Sequence, residues 1–134
     1  MDHGRISIQL TVSNLGITEA FYGGILELPV KRSFAVGRAL EHLSISQNGF
    51  DLVFVPEEAV FSMQPELKQG MVECPKGIGM ALRIRVSEIE DISDALEEEG
   101  IEVLYPLKAV PYGMKELWCF DPDGYLLALE EPWR

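Results

Sequence analysis

Apolar and polar residues alternate strictly in two segments that lie far apart in this chain. In "ISIQLTV", residues 6–12, Ile6, Ile8, Leu10 and Val12 share one face and Ser7, Gln9 and Thr11 the other. That is the period of a strand with one side packed and one side open. Residues 81–86, "ALRIRV", repeat it, with Leu82, Ile84 and Val86 opposite Ala81, Arg83 and Arg85. Both segments lead through Val-Ser into helical spacing: Ile17, Phe21, Ile25 and Leu28 in the first, Ile89, Ile92 and Leu96 in the second. "SEIE" predicts a capping box between Ser87 and Glu90, and Gly100 a helix stop.

The likeness continues downstream. Val12, Ser13 and Leu15 match Val86, Ser87 and Ile89 at an offset of 74, and Gly49, Phe50 and Leu52 match Gly124, Tyr125 and Leu127 at 75. Two matches in one order at nearly one offset mark an internal repeat. Each copy predicts a strand, a helix and three further strands. The last two strands form hairpins turned by Asn48-Gly49 and by Asp121-Pro122-Asp123-Gly124. The expected architecture is α+β: one domain of two βαβββ modules, about 4–56 and 80–134, joined by a linker of about 57–79 long enough to cover a site.

A two-residue turn at Asn48-Gly49 sets Ser46 opposite Asp51, Ser44 opposite Val53 and His42 opposite Val55. Leu43, Ile45, Leu52 and Phe54 then join the helix-packed face. Ser7, Gln9, His42, Ser44, Asp51, Arg83 and Arg85 fall on the other face, with Val53, Val55 and Ala128 among them. Polar side chains interleaved with small apolar ones suit a cup that binds a small molecule better than a washed surface.

Charge narrows the partners. With 22 acidic against 11 basic residues the net charge is −11, which argues against nucleic acid and against anionic membrane surfaces. An acidic cleft could instead concentrate a cationic ligand. There is no run of 18 apolar residues and no secretory layout at the start, and Cys74 and Cys119 form no disulfide framework, so a cytoplasmic protein is expected.

"LTVSNLGITEAFYGGILELPV", "VSEIEDISDALEEEGIEV" and "PYGMKELWCFDPDGYLLALEE" together resemble the vicinal oxygen chelate superfamily, which includes glyoxalase I, bleomycin-resistance proteins and extradiol dioxygenases. The resemblance covers nearly the whole chain. It implies paired βαβββ modules forming a curved mixed sheet, the cup, usually in a homodimer. Two departures are visible. Glu27 stands where the family ends its first helix on Gly, in a conformation that costs a non-glycine residue. Gly23 and Gly24 lie inside that helix, where each costs about 1 kcal/mol relative to Ala, and a close approach of helix to sheet is the expected reason.

Metal-dependent members of the family converge four ligands on a divalent ion, one from the first and one from the last strand of each module. The resemblance places those positions at Ser7, Val53, Ala81 and Ala128, and none is a competent ligand. No metal and no cofactor are therefore expected, and the pattern points away from the family's metal-dependent enzymes. His42 is the only plausible general base, with Asp51 nearby. Arg83 and Arg85 could grip a carboxylate or phosphate, or could pair with Asp51 and Glu130 and only neutralise buried charge. The expected ligand-binding set is Ser7, Gln9, His42, Asp51, Arg83, Arg85 and Glu130. Trp118, Tyr112, Phe34 and Trp133 could stack on a planar ligand, although period alone assigns Trp118 to the core. His3 is expected to be incidental, and neither cysteine has an activating base. The leading expectation is a metal-independent small-molecule binder of the bleomycin-resistance kind, acting as a homodimer. The alternatives are a glyoxalase-like lyase, isomerase or dioxygenase with a displaced or absent metal site, and a scaffold that kept the fold.

Overall fold

β1 (Ile6–Val12) runs parallel to β4 (Phe50–Pro56), which pairs antiparallel with β3 (His42–Gln47), itself paired with β2 (Lys31–Ser33). The computed structural model describes residues 6–34 and 40–133; His3 lies outside them. β5 (Ala81–Arg85) repeats the arrangement, parallel to β8 (Leu126–Pro132), with β7 (Met114–Phe120) and β6 (Val103–Val110) completing the order β5-β8-β7-β6. The expected curved mixed sheet is thus built as two four-stranded mixed sheets, one per repeat. Asn48 (φ 47°) and Gly49 (φ 83°) form the two-residue turn, and Ser46 faces Asp51 and Ser44 faces Val53, as the alternation requires.

Between the sheets the chain is helical. α2 (Glu57–Met63), a short 3-10 turn (Pro65–Leu67) and α3 (Lys68–Glu73) occupy the segment expected as a linker, and a Lys76–Glu57 ion pair at 3.2 Å ties its two ends.

The first helix departs from its predicted stripe. α1 (Leu15–Glu19) passes directly into a π-helical segment (Ala20–Ile25), in which Leu26 N–H donates to Phe21 C=O. The wider turn rotates the inward face onto Leu15, Thr18, Phe21, Tyr22 and Leu26 and leaves Ile17 56% exposed. It ends on Glu27 at φ 56°, the left-handed conformation anticipated for that position. Close packing does not explain the glycines. A Cβ on Gly24 would meet nothing within 4 Å, and one on Gly23 only Val30 at ordinary contact distance.

α4 (Ile89–Glu98) buries Ile89, Ile92 and Leu96 and stops at Gly100 (φ 67°), but the Ser87–Glu90 capping box does not form. The carboxylate of Glu131, from β8, accepts the Glu88 and Ile89 N–H groups at 2.9 and 3.1 Å. A distant anion thus does what the local serine was expected to do.

One apolar core joins both repeats, drawing Leu10, Phe21, Tyr22 and Phe54 from the first and Leu82, Ile92, Leu117 and Leu129 from the second. Among the described residues, three side-chain polar bonds cross between them. Tyr22 hydroxyl donates to Asp121 at 2.6 Å, Tyr125 hydroxyl donates to Thr11 C=O at 2.8 Å, and Ser13 N–H donates to Asp123 at 3.0 Å. The Asp-Pro-Asp-Gly turn is therefore the clasp between modules as well as a hairpin.

Candidate ligand-binding site

The open face of the second sheet carries two rows of side chains set by strand register. Across β5, β8, β7 and β6 the first row reads Arg83, Ala128, Trp118 and Tyr105, and the second Arg85, Glu130, Glu116 and Lys108. Ala128 decides what the first row can do. Its small side chain lets Arg83 reach across β8, where the guanidinium lies 5.4 Å from the centre of the Trp118 ring and 3.3 Å from both Glu116 and Glu130. Ala128 is fully covered as a result.

Glu116 is the hub of the network. It accepts from Trp118 Nε1 at 2.9 Å, from Tyr112 hydroxyl at 2.7 Å and from Arg83. These donors, the indole first and then the phenol, hold its carboxyl below the usual carboxylate range. The same bond raises the Tyr112 phenol above its ordinary value. Glu116 is only 8% exposed, and its cover is its own partners, not depth in the fold. Trp118 also meets Tyr105 edge to face, with ring centres 5.9 Å apart. Tyr105 and Tyr112, 53% and 63% exposed, leave aromatic surface open beside the charges. Arg85 is held loosely, 3.9 Å from Glu130. The second of the two expected roles for the arginines is thus partly met: they do pair with Glu130, but not with Asp51.

The first sheet places the remaining expected residues apart from these. Ser7 and Ser46 donate to Asp51, the former at 3.3 Å. His42 lies four positions from Ser46 along β3, about 13 Å at 3.3 Å per residue, and its Nδ1 lies 2.8 Å from Leu40 C=O. The expected His42–Asp51 pairing is therefore not the arrangement found. Gln9 and Thr11 border a cavity of about 260 Å³ closed by Met71, Cys74 and Lys76, so the linker does lie over part of this face. Arg83 and Arg85 border a different cavity, of about 540 Å³, which includes none of Ser7, Gln9, His42 or Asp51. A larger open groove of about 1080 Å³ runs along the helices, past Ile17 and Ile101, away from both sheet faces.

Trp118 was expected in the core and lies on the open face, because Leu117 and Cys119 are the inward residues of β7. Glu116, Tyr105 and Lys108 were not anticipated, although Glu116 follows from the same alternation once Cys119 is taken as core. Burial pushes the Cys119 thiol up to about 12, so it holds its proton. Phe34 and Trp133 are exposed at 68% and 46%.

The four positions at which the resemblance implies metal ligands do not fit a metal. Val53, Ala81 and Ala128 offer no donor atom, and the Ser7 hydroxyl is spent on Asp51. Among the described residues no group of three or more His, Cys, Asp or Glu side chains is placed to hold one elsewhere. No helix among them is long and apolar enough to cross a membrane.

A family model described as the Glyoxalase/Bleomycin resistance protein/Dioxygenase superfamily matches residues 5–129. Solved structures share the fold at low identity. A glyoxalase-related enzyme from Fulvimarina pelagi is 23% identical over 96% of this chain and 88% of its own, with a TM-score of 0.66. TnmS3, an antibiotic binding protein from Streptomyces sp. CB03234, is 20% identical over 95% of this chain and 93% of its own, at 0.63. The hypothetical protein SA1046 from S. aureus is 13% identical over 98% and 94%, at 0.69. No curated protein matches the sequence.

Proposed function

The chain belongs to the glyoxalase/bleomycin resistance protein/dioxygenase superfamily, and from that membership we propose that it is a metal-independent small-molecule-binding protein. The open sheet face holds the ligand, and the protein works as a homodimer in the cytoplasm. The supporting observation is the exchange at Ala128. Where the metal-dependent pattern calls for a carboxylate, a methyl group makes room for the Arg83–Trp118 stack and its Glu116 anchor. The face then offers aromatic surface at Tyr105, Tyr112 and Trp118, framed by fixed charges, which suits a planar ligand bound by stacking and hydrogen bonds. TnmS3, described as an antibiotic binding protein and similar in fold, supports this reading.

A metal-free enzyme using His42 is the weaker reading, because His42 stands about four strand positions from the Asp51 pair that could have oriented it.

Trp118 supplies the test. Planar aromatic compounds are titrated against its fluorescence in the presence of EDTA, in wild type and in Trp118→Phe, with Trp133 as internal background. Saturable quenching that is unaffected by EDTA, together with calorimetric uptake of the same compound that is weakened in Trp118→Phe, supports the reading. Ligand uptake that requires added metal, or turnover abolished by His42→Ala, overturns it.

A further inference from the structure

The cavity of about 540 Å³ at the seam between the sheets departs from the charge of the whole molecule. The chain carries 22 acidic and 11 basic residues, yet among the described residues no acidic side chain lines this cavity, while Arg83 and Arg85 do. The rest of its wall is chiefly apolar, with Ile8, Leu28, Phe50 and Ile84 prominent. Phe50 is 54% exposed, an aromatic side chain left open at the mouth of an apolar space. β5, on which both arginines stand, is an edge strand of its sheet, so nothing in the ladder covers this side.

The two arginines differ in their engagement. Arg83 bonds Glu116 and Glu130 at 3.3 Å, whereas the single described ion pair of Arg85 is 3.9 Å long, beyond hydrogen-bond reach. A guanidinium in that state keeps donors for a second, bidentate partner.

We infer that this seam pocket binds an amphiphilic monoanion, an apolar body carrying one carboxylate, sulfonate or phosphate head. The body packs on Phe50, Ile8 and Leu28, and the head meets Arg85. The volume falls within the range of small-molecule sites. Arg83 is neutralised by Glu116 and Glu130, so the charge offered to the pocket is that of the loosely paired Arg85, and with no carboxylate among the described lining residues it favours an anionic head over a cationic one. The inference deepens the binding-protein reading above and rests on it, but it places this ligand beside the aromatic face and not on it.

Calorimetric titration with sodium laurate, kept below its micelle concentration, tests it, with dodecyltrimethylammonium as the chain-matched cation. Laurate should bind one per chain and the cation should not bind. Arg85→Gln should weaken laurate by about tenfold or more, the scale of a lost charge-assisted contact. Phe50→Asp, which sets a carboxylate at the mouth, should abolish binding. Both side chains are more than half exposed, so both variants retain the core. Equal binding of the two amphiphiles, or laurate binding indifferent to Arg85→Gln and Phe50→Asp, overturns the inference. If laurate binding survives Phe50→Asp but is lost in Trp118→Phe, the seam pocket is refuted while the open-face reading stands.

Discussion

Replacing Tyr22 by Phe removes one oxygen from the clasp between the modules and nothing from the apolar core. Tyr22 is fully buried and its hydroxyl donates at 2.6 Å to Asp121, which is itself only 5% exposed. Asp121 keeps two backbone donors, Asp123 N–H and Tyr125 N–H, so the carboxylate is left short of one bond, not stranded. Losing a hydrogen bond to a charged group costs about 1.5–3 kcal/mol. With about 2.1 cal/mol/K of unfolding entropy per residue, 134 residues translate this into a fall in Tm of about 5–10 °C. The cost depends on pH in a fixed direction. Burial raises the Asp121 carboxyl above its ordinary 3.8, and the Tyr22 hydroxyl opposes that rise. A raised folded value means that Asp121 contributes stability below about 3.8 and loses it as pH climbs through the folded value. Without the hydroxyl the folded value rises further and the loss is larger, so the penalty of Tyr22→Phe grows from pH 4 to pH 7. Thermal melts of both proteins across that range measure it. An unchanged Tm, or a penalty that shrinks with rising pH, would refute the reasoning.

Other consequences are quicker to check. Glu131→Ala removes the acceptor at the start of α4 and should cost about 1 kcal/mol in a denaturant melt, with Ser87→Ala nearly neutral. If Ser87→Ala proves the costlier change, the capping assignment is wrong. Glu27→Gly should stabilise by about 0.5–1 kcal/mol, since Glu27 is held at φ 56°, and a destabilised variant would show that its side chain matters more than its backbone. Native alkylation at pH 8 should modify the exposed Cys74 and spare Cys119, whose buried thiol is pushed up to about 12; labelling of both under native conditions would contradict this.

The strands and hairpins were legible because their signals are local. Alternation in residues 6–12, the Asn48-Gly49 turn and the Asp-Pro-Asp-Gly turn each act within a few residues, and the observed register follows them. What escaped was decided at a distance. "SEIE" satisfies the capping pattern, but Glu131, more than 40 residues later, supplies a full charge to the adjacent Glu88 and Ile89 N–H groups at the same helix start, and the box does not form. The π-helical turn shifted the inward face of the first helix by one position, which no 3.6-residue period can express. Trp118 was assigned by period to the core, while its strand neighbours Leu117 and Cys119 are the residues that fill it. The candidate site was half legible. Ala128, Arg83, Arg85 and Glu130 could be placed on one face from the pattern, and Glu116 follows from the alternation of β7 once Cys119 is taken as core, but the facing of Tyr105 depends on the bulged register of β6.

We propose that, with Ser7, Val53, Ala81 and Ala128 at the four ligand positions, the open face binds a small molecule and no metal. Metal content tests this most directly. Untagged protein is incubated with Zn, Ni, Fe(II) and Mn, desalted and subjected to elemental analysis. The account predicts less than about a tenth of an ion per chain, since Ser7, Val53, Ala81 and Ala128 offer no ligand set. One ion per chain surviving desalting would contradict it, and the enzymatic reading would then take precedence.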